Sequence, residues 1–384
     1  MRQLRGNTQK LFYVYVVAMG LFHLYTAIFG NYEAYLQRSI HLTWVLPMCF
    51  VLYPISSKSP KEYVPLYDWI LAFISTLPGI YNMINYTHII ERIAQVDPLT
   101  TTQLVLGTLL LVILLEATRR VVGVPLTIIA AFFAGYMYFG HHMPGIMKGL
   151  SFTFEEVIEH IYLTGEGIFS VPLGVSAAFV MIFLIFGGFL EKSGVGEYFM
   201  HLAEAFTGTQ AGGPAKIAVV SSALFGSISG SVVANVYGTG TFTIPLMKRI
   251  GYPAHFAGAV EAVASAGGQI MPPIMGAGAF IMASFLGRPY SEIMIAATLP
   301  AILYYGAVIF MVHLGALKNG LQGLEPDELP SKKEVLKKLY FILPIIGLVY
   351  MLLDGYTPMW AATIGIGLTW AISMLNPGKR MTPM

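Results

Sequence analysis

Charge is scarce in this chain. Only 11% of its 384 residues are Asp, Glu, Lys or Arg, whereas 56% are hydrophobic, and a soluble domain normally carries about 25% charge. The mean hydropathy is +0.68. That excess of apolar surface cannot be hidden in one water-soluble core, so the lipid bilayer is the natural solvent and partner. Cysteine is nearly absent. Cys49 stands alone, which excludes an internal disulfide and a cysteine-cluster metal site, and its apolar neighbours read as core packing. No HExxH pair is present, so a zinc-peptidase centre is not expected. The net charge of +2 carries no signal for nucleic acid, and no such partner is expected. The run 11–30 is too long for the apolar region of a cleavable leader and lacks a small-residue cleavage site. Glycine and proline, by contrast, are plentiful at 40 and 22, as membrane helices tolerate.

A spanning helix needs about 20 mostly apolar residues. Runs near 11–30, 40–54, 66–85, 101–117, 124–140, 171–190, 291–316, 339–353 and 358–375 fit, and 254–286 reads as one more crossing, giving about ten spans in an all-α polytopic membrane protein. With the N-terminus on the cytoplasmic side, every Lys and Arg except Arg38, Arg92, Lys148 and Arg288 falls on that side, including Lys379 and Arg380, as the positive-inside rule expects. The segments 152–163 and 195–206 mix acids and histidines with apolar residues at helical spacing, and read as interfacial helices. The polar stretch 318–338 reads as a cytoplasmic linker between 1–317 and the last two spans in 339–384.

The chemistry concentrates where membrane helices are interrupted. Around Gly226-Ser227-Ile228-Ser229-Gly230-Ser231 one helix ends and another begins, which predicts a re-entrant hairpin over 214–250 with its tip at Ser229, Gly230 and Ser231. The first arm is too short to cross about 30 Å of hydrocarbon at about 1.5 Å per residue. Such a tip offers free carbonyls at one helix end and free N–H groups at the next helix start. The hydroxyls of Ser227, Ser229 and Ser231 and the amide of Asn235 add neutral oxygens able to replace a sodium ion's water shell. A second interruption, Ala266-Gly267-Gly268-Gln269-Ile270-Met271-Pro272-Pro273-Ile274-Met275-Gly276, must break the helix over 254–286, because two prolines remove two N–H donors. The pair of breaks points to a transporter site; the competing reading of any one of these small residues is close helix packing. Candidate cation-binding residues are Ser227, Ser229, Gly230, Ser231, Asn235, Gly268 and Gln269. Thr239, Pro272, Pro273 and Gly276 are expected to shape the substrate cavity.

Glu261 is the one carboxylate deep inside a candidate span. A buried membrane acid is a functional-site hypothesis by default; Glu261 either takes part in proton coupling, compensates a cation, or is a structural hydrogen-bonded acid. His255 reads as interfacial. His141-His142 lacks a third ligand, so no metal site is expected there.

These two blocks, LFGSISGSVVANVYGTGTFTIPLMKRIGY and GGQIMPPIMGAGAFIMA, carry a family likeness. The chain resembles the fused membrane permease of TRAP transporters, in the TAXI-type branch, over nearly its whole length. The resemblance implies a small-subunit-like region at 1–123 and a first transport repeat at 124–317. It also implies a periplasmic solute-binding protein as partner and an elevator movement driven by a sodium gradient, or by protons in some members. The implied cargo is small carboxylates and the implied location the bacterial or archaeal cytoplasmic membrane, with no resident cofactor. By motif match, Ser227, Ser229, Gly230, Ser231 and Asn235 fall where the family builds an ion site, and Gly268-Gln269 with Pro272-Pro273 fall beside it. The family's transport subunit resembles two inverted repeats, each with a hairpin and a broken helix. This chain shows one of each before Met384, so a second-half permease segment is expected as a further partner.

Two other readings compete. A structural or incomplete membrane subunit would not transport on its own. An intramembrane enzyme would need a base for a GSISG serine; His255 is the only nearby candidate and no orienting acid beyond Glu261 is evident, so no enzyme is expected.

Overall fold

The computed structural model describes residues 1–376, Gly378, Arg380 and Met381; the expectations for Lys379 and for Met384 lie outside these. Among the described residues the chain is helical with no β-strand. It divides into two compact units, Met1–Ala177 and Ala178–Met384, each with its own internal packing.

The first unit contains α1 (Gly6–Phe29), α2 (Ala34–Leu52), α3 (Leu66–Ile84), α4 (Tyr86–Glu91), α5 (Thr101–Val121), α6 (Val124–Phe139), α7 (Phe154–Tyr162) and α8 (Val171–Val175). The apolar run that reads as 40–54 becomes a helix from Ala34, because the Glu33 carboxylate accepts from the Tyr35 and Leu36 amides and caps it. Thr100 with Gln103, and Thr153 with Glu156, form capping boxes that start α5 and α7. Phe50, Leu110, Tyr162 and Phe169 make the core. Tyr35 donates to the Tyr162 carbonyl at 3.0 Å, and Tyr162 to that of Pro78 at 2.9 Å. Beside this core Asp68 accepts from Arg2 and, at 2.6 Å, from Arg120, with all three side chains fully buried. α6 has no buried residue. Its exposed Ile128, Ile129, Phe132 and Phe133 form an apolar surface suited to lipid or protein rather than water.

The second unit follows a π-helical turn at Ser176–Val180, inside the long helical run Val171–Ser193. It contains α9 (Met181–Ser193), α10 (Val195–Thr207), α11 (Gly213–Ser229), α12 (Val232–Arg249), α13 (Ala254–Gly267), α14 (Ala277–Leu286), α15 (Tyr290–Lys318), α16 (Lys332–Lys337), α17 (Leu343–Leu353) and α18 (Pro358–Met374). Among the described residues four helices are long and apolar enough to cross a membrane: Gly6–Phe29, Val124–His142, Val171–Ser193 and Tyr290–Lys318. A fifth is added if Pro326–Lys337 and Leu339–Leu353, bent by 69°, count as one span. The other expected spans are helical but shorter or more polar. α17 has 11 residues because Leu339–Ile342 winds as a 3-10 turn, and α2 carries buried Gln37, Ser39 and His41.

Candidate functional site

α11 opens with Pro214 in its first turn, where a missing N–H costs nothing. It closes at Gly230, whose φ of +58° is the left-handed conformation glycine adopts freely, with the Gly230 amide bonded to the Gly226 carbonyl. Ser231 then caps α12 by accepting from the Ala234 amide at 3.4 Å. The two arms run back along each other. Asn235 of α12 donates to the Ser222 carbonyl of α11 at 2.9 Å, and the Ser222 and Thr239 hydroxyls lie 3.0 Å apart. α13 crosses this hairpin at a backbone contact between Gly226 and Gly268. A Cβ on Gly226 would lie 2.6 Å from the Gly268 Cα, and one on Gly268 would lie 2.7 Å from the Gly226 Cα.

The second break lies against the first. α13 stops at Gly267 and α14 starts at Ala277, with a cis peptide between Pro272 and Pro273. The Ile274 amide donates to the Ser227 carbonyl at 3.1 Å, and the Gly276 amide to that of Gln269 at 2.8 Å. A Cβ on Gly230 would strike the Met275 carbonyl oxygen. Tyr290 of α15 donates to the carbonyls of Pro273, at 3.1 Å, and Ile274, and its ring stacks on Phe280 at 4.2 Å. The C-terminus of α11 therefore sits close to the N-terminus of α14. Such ends carry partial charges of about half a unit, negative at the first and positive at the second.

The residues singled out in the sequence take different places in this arrangement. Ser227 commits its hydroxyl to the Leu224 carbonyl at 2.7 Å. The Ser229 hydroxyl is buried and has no hydrogen-bond partner among the described residues. Two cavities meet at the tip. One of ≈ 420 Å³ is lined by Phe183, Gly187, Gly188, Ser229, Ser231 and Tyr237, among others. The other, ≈ 330 Å³, includes Ser229, Gly230, Ser231, Gln269, Ile274 and Met275 in its wall. Asn235 and Gly268 are buried behind the tip, whereas the Gln269 side chain is exposed. Pro272, Pro273 and Gly276 shape the break but line neither of these two cavities. Thr239, expected on a cavity wall, points into the helix seam instead and is 3% exposed. It shares one face of α12 with Asn235 and Thr243, four residues apart, and that face meets Glu261.

Glu261 is completely buried. Its Oε1 accepts from Thr239 at 2.5 Å and from Ser222 and Ser265 at 3.1 Å each, and its Oε2 accepts from Thr243. Hydroxyls from three helices thus converge on one carboxylate. Ser222, Thr243 and Ser265 were not singled out in the sequence. Their signal was spacing: Thr239 and Thr243, and Glu261 and Ser265, are i, i+4 pairs that share a helix face. His255 is exposed. The His141 and His142 rings lie 3.8 Å apart, and no group of three or more His, Cys, Asp or Glu that could hold a metal occurs among the described residues.

Apolar helices with two breaks packed tip to tip put the chain in the class of helical membrane proteins with interrupted helices. The sequence model for the Tripartite ATP-independent periplasmic transporter, DctM component, matches residues 109–383, and the chain belongs to this family. It is similar to the C4-dicarboxylate TRAP transporter large permease protein DctM of Rhodobacter capsulatus, 27% identical over 211 residues, which are 51% of this chain and 48% of that protein. It is also similar to the sialic acid TRAP transporter large permease protein SiaM of Vibrio cholerae, 25% identical over 189 residues, 48% of this chain and 43% of that protein. The isethionate TRAP transporter permease protein DctMQ of Oleidesulfovibrio alaskensis is 34% identical over 94 residues, 24% of this chain and 15% of that protein. The chain spans about half the length of the first two of these relatives.

Proposed function

We propose that this chain is a permease component of a binding-protein-dependent secondary transporter that imports small carboxylates with a sodium gradient, by an elevator movement of the hairpin and the broken helix. The observation that carries this reading is the contact of the two breaks, through Ile274 on Ser227 and Gly230 on Met275, beside the unpartnered Ser229 hydroxyl. Carbonyl-rich helix ends suit a cation, and helix starts at Val232 and Ala277 suit a carboxylate. The named relatives act on C4-dicarboxylates, sialic acid and isethionate, all small organic anions. In this reading 214–250 is re-entrant, the protein has about ten spans with its N-terminus cytoplasmic, and a periplasmic solute-binding protein delivers the cargo. The family match beginning at residue 109 supports a separate, fused small-subunit-like region near 1–123, as in a TAXI-type permease.

The test is thermal unfolding of the purified protein in sodium chloride against choline chloride at equal ionic strength, paired with uptake of radiolabelled succinate into proteoliposomes supplied with a succinate-loaded periplasmic solute-binding protein. A ligand that binds only the folded state raises stability by about 1.4 kcal/mol for each tenfold excess over its dissociation constant. Sodium stabilises the wild type and fails to stabilise Ser229→Ala together with Asn235→Ala. Equal melting in both salts overturns the sodium site. Sodium stabilisation without uptake overturns the import reading and leaves the sodium site standing.

A further inference from the structure

In the first unit α2 and α3 pack so closely that a Cβ on Gly79 would strike the Thr43 hydroxyl. α1 is fastened to this pair at two places. At one, the Arg2 amide donates to the Leu52 carbonyl at 2.7 Å and its guanidinium to those of Phe50, at 2.8 Å, and Val51, at 3.1 Å. At the other, the Tyr15 hydroxyl donates to the Trp44 carbonyl at 2.8 Å and reaches that of Thr43 at 3.4 Å. Pro47 lies inside α2 and denies the Thr43 carbonyl its helical N–H, so an acceptor is left there for the tyrosine. Beside the stretch of α1 between the two ties a groove of ≈ 280 Å³ opens, walled by Phe12, Tyr15, Val51, Trp69, Phe73 and Thr76, among others.

The groove offers a ligand little besides hydrocarbon. The Tyr15 hydroxyl is committed to Trp44, and the Thr76 hydroxyl donates to the Phe73 carbonyl at 2.7 Å. No Asp, Glu, Lys or Arg lines it. Phe73 is exposed on its rim. α1 is long and apolar enough to cross a membrane, so the opening meets lipid tails rather than water.

One end of the groove is basic. Lys10 directly precedes the lining residue Leu11. The Gln3 amide donates to the Lys61 carbonyl at 2.8 Å, which places Lys61 beside the Arg2 tie. Both lysines are exposed, and neither forms an ion pair among the described residues. Arg5 and Glu62, in the same two segments, answer each other at 3.4 Å. Trp69, in the first turn of α3, brings an indole to this end, the ring that favours the level where tails meet headgroups. An apolar slot with unpaired cations at one end is complementary to an amphiphile with an anionic head.

We propose that this groove seats one anionic phospholipid of the surrounding membrane, with an acyl chain between α1 and α3 and its phosphate on Lys10 and Lys61. The tail fills the space that α1 leaves against α2 and α3 and completes the packing of the first unit. The seat does not depend on the transport reading.

The experiment is titration of the delipidated, purified protein in detergent with dioleoyl phosphatidylglycerol or dioleoyl phosphatidylcholine, read by native mass spectrometry. The wild type should hold one phosphatidylglycerol per chain, at least about tenfold more tightly than phosphatidylcholine, since each basic residue near an anionic head is worth about fivefold. Lys10→Gln with Lys61→Gln should abolish that preference. Thr76→Phe puts a ring into the groove and should release both lipids, whereas Thr127→Phe on α6 should release neither. Equal affinity for the two lipids in the wild type overturns the proposal. So does undiminished phosphatidylglycerol binding in Thr76→Phe, or glycerol phosphate binding as tightly as the whole lipid. The comparison of the two lipids on the wild type decides the matter if a variant fails to fold.

Discussion

The crossing of α11 over the second break should be intolerant of a single methyl group. In Gly226→Ala the new Cβ would lie 2.6 Å from the Gly268 Cα and 2.8 Å from Asn235 Nδ2, where ordinary contact begins at 3.4 Å. Backbone cannot rotate away as a side chain does, so the helices must separate by about 0.8 Å, or Asn235 must leave the Ser222 carbonyl. Overpacking of a tight core costs about 1–3 kcal/mol, and a lost hydrogen bond adds about 0.5–1.5 kcal/mol. Alanine in place of a helical glycine returns about 1 kcal/mol. The expected net loss is about 1–3 kcal/mol. Gly258→Ala is the control, since nothing lies within 4 Å of its added Cβ; it should be neutral or slightly stabilising. Equilibrium unfolding in mixed micelles reads both. If Gly226→Ala matches Gly258→Ala in stability, the two backbones do not touch, and the packing of hairpin on broken helix described here is wrong.

Two further outcomes follow from charges in the first unit. Asp68→Asn leaves the fully buried guanidinium groups of Arg2 and Arg120 without their shared anion, and should lower stability by about 3–5 kcal/mol in the same assay; a loss under about 1 kcal/mol would show that those arginines reach water. In α7, the Thr153 amide and then its hydroxyl hold the Glu156 carboxyl below the usual carboxylate range. The folded form thus prefers the ionised acid, and its contribution is complete above the unfolded carboxylate range and disappears as pH falls through the lowered folded value. Hydrogen exchange of 153–162, corrected for intrinsic rates, should show protection weakening in acid for the wild type and a pH-independent level in Glu156→Gln; parallel curves for the two would refute the cap.

What the sequence made legible was punctuation. Gly230 and Ser231 mark the hairpin turn, and Pro272-Pro273 the second break, because glycine freedom and a missing N–H act locally. Tertiary partners were not legible. Nothing local says that Ile274 will bond Ser227, or that Tyr290, beyond α14, will fasten the carbonyls of Pro273 and Ile274. The placement of Thr239 shows the same limit. Its four-residue spacing from Asn235 and Thr243 identifies a polar stripe, but whether a stripe faces a cavity or a neighbouring helix depends on which helix lies opposite. Here that helix is α13, and the stripe meets Glu261. The apolar runs likewise forecast helices well, whereas helix ends followed caps such as Glu33 that hydropathy does not see.

The bonds around the site are unevenly distributed, and this orders the motions available to it. The arms α11 and α12 are joined to α13 by Glu261 with the hydroxyls of Ser222, Thr239 and Thr243, and to each other by Asn235 with the Ser222 carbonyl, and Tyr304 and Tyr305 fasten α13 to α15. Pulling the arms away from α13 would strip three of the four hydroxyl donors from a buried carboxylate and leave it only Ser265, at several kcal/mol. At the tip a single backbone bond, Ile274 to Ser227, ties hairpin to break, and losing it costs about 0.5–1.5 kcal/mol. The proposed elevator needs a body that travels intact and a tip that opens to load and release. The energies favour that division, because the cheapest separation lies at the cavities and the dearest lies along the Glu261 seam.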